Sequence, residues 1–149
     1  MLRAENLYHT GLVVDDIDAA RRWYAQAAAY VWGPTVAGEQ VIELAGSERR
    51  IRMTVAYSVS EPRLELIQSV PGTIWVPTNA GVHHLGYWSE DVDADLSRLL
   101  QQGAEFEAKS IGPNGAALWC YCRHPANGRI ELVSTVMKPA LERLFTNPG

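Results

Sequence analysis

The sequence predicts a mixed helix-and-strand fold, one domain built from two tandem β-α-β-β-β modules. Three observations predict it. The pattern His9-Thr-Gly-Leu-Val-Val-Asp-Asp16-Ile-Asp-Ala returns 75 positions later as His84-Leu-Gly-Tyr-Trp-Ser-Glu-Asp91-Val-Asp-Ala. Each copy closes on a similar apolar strand with a glutamate inside it, Leu64-Glu65-Leu66-Ile67 and Ile130-Glu131-Leu132-Val133. The chain has 149 residues, 47% apolar and 20% charged, which suits a single globular domain with a real core. A repeat of this length, present twice, is a duplicated module and not a solenoid.

The elements follow in order. Residues 7–14 read as a strand, apolar and β-branched toward the end. Asp15-Asp16 offers caps for a helix from about Ile17 to Tyr30, with Ile17, Ala20, Tyr24, Ala27 and Ala28 as its buried stripe and Gly33-Pro34 as its end. Residues 35–44, 50–58 and 63–69 read as three strands separated by turn-forming residues. Module one thus spans about 6–69. The segment 70–81 has two prolines, two glycines and no helical period, so it reads as a linker, with Trp75 alone in it.

Module two, about 82–136, repeats the order. A strand covers 82–89, and Asp91 caps a helix with Val92, Leu96, Leu99 and Leu100 inward and Gly103 as its left-handed stop. Strands near 104–111, 116–122 and 129–135 follow, divided by Gly-Pro-Asn-Gly and His-Pro-Ala-Asn-Gly turns. Leu141, Leu144 and Phe145 lie at helical spacing in the tail and predict a docking helix over 138–146.

Charge and composition exclude several function classes. A net charge of −4 with only short basic pairs, Arg21-Arg22 and Arg49-Arg50, argues against nucleic-acid binding. No run approaches the roughly 18 apolar residues of a membrane span, and no secretory leader stands out, so the expected address is the cytoplasm. Cys120 and Cys122, two apart on one strand face, read as reduced structural thiols; a C-x-C metal pair would need a second pair elsewhere.

The chemistry sits in the repeat. One histidine and one glutamate per module can meet as a two-His, two-carboxylate site, with His9, Glu65, His84 and Glu131 as candidate metal ligands. A carboxylate flanked by aliphatics in a strand is costly to bury unless it is paired or bound to a metal. The bland alternative is four unrelated residues on half-exposed strands, and the duplication weighs against it. The ligand set suits one divalent ion, Zn, Ni, Co, Mn or Fe(II), with positions left over for water or a chelating substrate. Of the pair His83-His84, the repeat selects His84, and strand alternation sends His83 to the outer or interface face. Trp88 shares the face of His84, and Trp75, Trp119 and Tyr121 join it as candidate walls of a substrate pocket for a bulky apolar or aromatic molecule; ordinary core filling is the alternative.

Four stretches carry a resemblance: His-Thr-Gly-Leu-Val-Val at 9–14, Leu-Glu-Leu-Ile at 64–67, Gly-Val-His-His-Leu-Gly at 81–86 and His-Pro-Ala-Asn-Gly-Arg-Ile-Glu-Leu-Val at 124–133. Together they resemble the vicinal-oxygen-chelate superfamily, which includes glyoxalase I, methylmalonyl-CoA epimerase, extradiol dioxygenases and bleomycin-type resistance proteins. The resemblance implies an α+β fold whose two βαβββ modules form a cupped mixed sheet with flanking helices. It places a metal inside the cup on His9, Glu65, His84 and Glu131, and it implies a homodimer acting on a small molecule. The full His-Glu-His-Glu set resembles glyoxalase I and the epimerases, isomerases and lyases that move a proton beside a metal-polarised carbonyl. Dioxygenases of the family lack a carboxylate at the place of Glu65, and drug-sequestering members lack the full quartet. Val13 and Ser69 stand where glyoxalase I holds glutathione with Arg and Asn, which weakens that assignment. By the same likeness Glu131 is ligand and base, and Glu48 is the nearest candidate for a second, epimerase-type base, with Glu39 and Glu43 competing and an exposed turn residue as the alternative.

Overall fold

A computed structural model describes residues 1–149. A short 3-10 turn, Ala4–Asn6, leads into β1 (Leu7–Val14), α1 (Ile17–Ala28), β2 (Val36–Leu44), β3 (Ser47–Tyr57) and β4 (Leu64–Gln68). The second half holds β5 (His84–Ser89), α2 (Val92–Gln101), β6 (Glu105–Ser110), β7 (Trp119–His124) and β8 (Gly128–Ser134). A 3-10 turn, Thr135–Met137, then feeds α3 (Lys138–Thr146). The eight strands close into one mixed barrel-like cup in the order β1-β4-β3-β2-β6-β7-β8-β5.

The duplication is visible in the pairing. Within each half the first and last strands run parallel, Gly11 opposite Glu65 and Gly86 opposite Glu131. The halves join antiparallel through β1 and β5, and again through β2 and β6. The repeated Asp-Asp motif acts as a helix starter: the Asp16 carboxylate accepts from the Ala19 N–H at 2.8 Å and that of Asp91 from the Ala94 N–H at 2.9 Å.

Alternation along the strands sorts the core into three parts. Val13, Ile67 and Val133 point into the cup, where they join Ile42, Met53 and Trp119. Leu12 and Leu66 point outward under Ile17 of α1, and Cys120 and Leu132 point outward under Val92 of α2. The same parity puts Glu65 and Glu131 inside. Both cysteines are free and buried, and burial raises their thiol pKa values, that of Cys122 to about 11.

Several boundaries differ from the sequence expectation. α1 stops at Ala29, a left-handed residue with φ 56°, well before Gly33, and Ala27 and Ala28 are exposed. Leu100 also faces solvent. β3 begins at Ser47, making the β2–β3 hairpin longer than expected, and β7 begins only at Trp119. Residues 70–81 contain no helix or strand, and the Trp75 side chain is driven fully into the cup. No helix is long and apolar enough to cross a membrane.

Candidate metal centre

Antiparallel pairing of β1 and β5 sets His9 opposite Gly86 and His84 opposite Gly11. Each imidazole crosses over the glycine of the other module. A Cβ on Gly11 would lie 1.9 Å from His84 Cε1, and a Cβ on Gly86 would lie 1.9 Å from His9 Cε1. The His-x-Gly repeat therefore has a steric reason: each glycine makes room for the other copy's ring. The two Nε2 atoms come within 2.9 Å.

The glutamates arrive from β4 and β8. Glu65 Oε2 is 3.2 Å from both imidazole Nε2 atoms, and Glu131 Oε2 is 3.1 Å from His9 and 3.3 Å from His84. One ligand atom from each of the four residues lies within 4.8 Å of the others, and all four residues are buried. Burial opposes charging any of these groups, yet the carboxylates raise the imidazole of His9 to about 9 and raise that of His84. In turn the histidines hold both carboxyls below their usual range, although each glutamate repels the other. Burying such charges costs of order several kcal/mol per ion. Both carboxylate Oε2 atoms lack a conventional hydrogen-bond partner. Two nitrogen and two oxygen donors converging on one point, the two oxygens without a conventional partner, fit a divalent cation, which would replace the imidazole protons.

Behind His84 lies a relay. Its Nδ1 is 3.0 Å from His83 Nδ1, and His83 Nε2 is 2.8 Å from the Ile74 carbonyl oxygen. A carbonyl only accepts, so His83 donates through Nε2. Burial, followed by the Arg129 charge, lowers the His83 pKa to about 4, leaving Nδ1 free to accept from His84. Once the Nε2 proton of His84 is lost, its lone pair faces the cluster, the usual arrangement of a supported metal-binding histidine. His83 is therefore buried, not outward as alternation suggested, because β5 begins only at His84 and the residue before it is free to turn in.

Two tyrosines complete the symmetry. Tyr57 pairs with Glu65 across β3 and β4, and Tyr121 pairs with Glu131 across β7 and β8. Burial first, then these carboxylates, raises both phenols, so they remain neutral. Tyr8 joins them because β1 carries a bulge between Leu7 and His9, which breaks strict alternation. Its hydroxyl is buried without a partner. Sequence reading missed Tyr8 and Tyr57, and took Tyr121 only as a candidate pocket wall. The signal was a tyrosine shortly before each repeated glutamate.

A cavity of about 200 Å³ opens beside Glu65 and Glu131 and is lined by Trp75 and Trp119. Trp119 donates from Nε1 to Gln40 Oε1 at 3.0 Å. Trp88 does not line this cavity. It shares the parity of His84 but lies further along β5, where it stacks on Tyr8 at 3.9 Å and faces an outer cleft. Glu48 is also elsewhere. It sits exposed at the tip of the β2–β3 hairpin, nine residues from Tyr57, or about 30 Å along the strand. Its parity points outward, as does that of Glu39 and of Glu43, which pairs with Lys109 at 3.6 Å. No second carboxylate base from these strands reaches the cluster.

A duplicated cup converging two histidines and two glutamates on one buried point defines a class of candidate metal-centred proteins. The model of the Glyoxalase/Bleomycin resistance protein/Dioxygenase superfamily matches residues 8–123, and the chain belongs to that superfamily. In structure the chain is similar to methylmalonyl-CoA epimerase from Streptomyces coelicolor, with a TM-score of 0.60 at 20% identity over 90% of this chain and 98% of that one. The epimerase from Mycobacterium tuberculosis gives 0.57 at 19% identity, over 95% and 97% of the two chains. A hypothetical protein from Bacillus halodurans gives 0.52 at 16%, over 86% and 92%. These likenesses concern the fold. No curated protein matches in sequence.

Proposed function

We propose that the chain is a divalent-metal-dependent enzyme of the glyoxalase and epimerase type, an isomerase or lyase that moves a proton at the carbon beside a carbonyl. The observation that carries this reading is the convergence of four buried ligand atoms at the edge of a cavity. His9, Glu65, His84 and Glu131 would hold the ion. A divalent ion there would polarise a substrate carbonyl and offset the negative charge that develops on its oxygen.

The protein groups supply the rest. Glu131 faces the cavity with an unpartnered Oε2 and is the proposed base, giving the proton back after the carbanion is stabilised. The neutral Tyr57 and Tyr121 phenols keep donors near the carboxylates, and the Trp75 and Trp119 walls exclude water. The burial of Glu65 among the ligands favours this reading over ring cleavage, for which a two-His, one-carboxylate triad is the usual set.

Metal analysis of the purified protein tests the proposal. About one divalent ion per chain is expected, absent from His84→Ala. Glu131→Gln should lose roughly 100-fold or more of solvent-deuterium exchange at the carbon next to the substrate carbonyl. A native protein that binds no metal and retains a hydrophobic drug would instead mark a sequestering protein.

A further inference from the structure

The wall of the cavity is chemically lopsided. Thirteen of its sixteen lining residues are hydrophobic, Met53, Val55, Trp75, Trp119, Leu141 and Leu144 among them, and no lysine or arginine lines it. Arg129 and Arg63, whose charges act on His83 and Tyr8, are engaged elsewhere. Arg129 makes a two-point ion pair with Glu107 at 2.5 and 2.9 Å. Arg63 donates to the Ser58 carbonyl and to Glu61, with its guanidinium carbon 4.0 Å from the centroid of the Phe145 ring. The formal charges on the cavity wall are the carboxylates of Glu65 and Glu131. The Tyr8 hydroxyl and the Trp75 indole N–H, both buried without a partner, also belong to this wall.

We infer that the cavity selects a substrate whose chelating oxygens are attached to a compact, uncharged, apolar group of about phenyl size, and that it rejects one carrying an additional carboxylate. The inference deepens the metal-centred reading and rests on it. A volume of about 200 Å³ holds a ring or a branched acyl group with little room beyond. A second carboxylate, as in a malonyl-type acyl group, would enter an apolar space where the two glutamates already offset the metal's charge and no further cation meets it. A neutral oxygen on the substrate, in contrast, finds two waiting donors. Aromatic edges from Trp75, Trp119 and Tyr121, mutually T-shaped with centroids 5.5–5.8 Å apart, suit a flat apolar guest.

The test uses metal-chelating probes on the zinc-loaded wild-type protein, followed by calorimetry and tryptophan fluorescence. 4-Nitrobenzohydroxamate and 4-carboxybenzohydroxamate have nearly the same shape and differ in charge. The nitro probe should bind at least tenfold more tightly, with quenching of Trp75 and Trp119. Benzohydroxamate should likewise exceed acetohydroxamate at least tenfold, and Leu141→Trp should abolish that gain while acetohydroxamate still binds. Equal or tighter binding of the carboxylated probe, no gain from the ring, or no binding of any hydroxamate to zinc-loaded protein overturns the inference. Failure of the protein to take up metal overturns the functional reading itself, so the two failures are distinct.

Discussion

The two halves of the cup offer the same candidate ligands but support them differently. In module two, His84 rests on His83, which rests on the Ile74 carbonyl, so a chain of defined donors fixes its ring. In module one, the residue before the ligand is Tyr8, and His9 Nδ1 is buried with no partner. Its ring is framed instead by edge contacts with Tyr8 and Tyr57, centroids 4.4 and 5.7 Å away. Duplication thus preserved the ligand and its glycine while the support behind the ligand diverged. One arm of the site is set by hydrogen bonds, and the other by packing and by whatever sits between the ligands.

The sharpest way to break this comparison is at the glycines, where the halves are equivalent. Gly11→Ala should displace His84, and Gly86→Ala should displace His9, because each new methyl falls on a ring. Each variant should lose roughly 100-fold or more in zinc affinity, above the loss typical when only an outer partner of a ligand is removed. Competition with a chromophoric chelator measures it. Unchanged affinity in either variant would show that the reciprocal approach is dispensable.

A second change separates the halves. His83→Phe removes the acceptor behind His84 and should weaken zinc binding by about 10- to 100-fold, with partial recovery in His83→Asn, whose amide oxygen can still accept. The matching change in module one, Tyr8→Phe, should alter affinity by less than about threefold. Equal losses at the two positions would contradict the asymmetry.

The smallest expected effect is on stability against pH. The pKa of His9 in the folded metal-free protein is raised from 6.5 to about 9, after the glutamates outweigh burial. Its ion pairing therefore stabilises fully below about pH 6.5 and is lost as pH rises through about 9. The melting temperature of the metal-free protein should fall by a few degrees over that window. Zinc should stabilise more strongly as pH rises, since binding displaces the imidazole protons. A flat metal-free profile would mean that the His9 proton contributes nothing.

Much of this was legible in the residues. The repeat marked both modules and their helix caps, because Asp16 and Asp91 satisfy local rules that act over three residues. It also marked the quartet, because inward parity on a regular strand is fixed by counting. Where counting failed, a local irregularity intervened. The bulge at Tyr8 and the start of β5 only after His83 turned side chains inward against strict alternation. Trp88 obeyed parity but lay too far along its strand, and Glu48 fell at the end of a hairpin longer than the turn residues suggested. Tyr57 and Tyr121 depend on cross-strand register, which a single strand's sequence does not reveal.

The crossed glycines bear on how such a chain can change over generations. Each half carries the vacancy that the other half's imidazole fills, so neither glycine can gain a side chain while the facing ring keeps its place. A substitution at Gly11 is felt first by a residue 73 positions away, encoded in the other repeat. The two repeats are therefore inherited as one unit, and exchanging one of them for a foreign copy succeeds only if that copy brings its own matching gap.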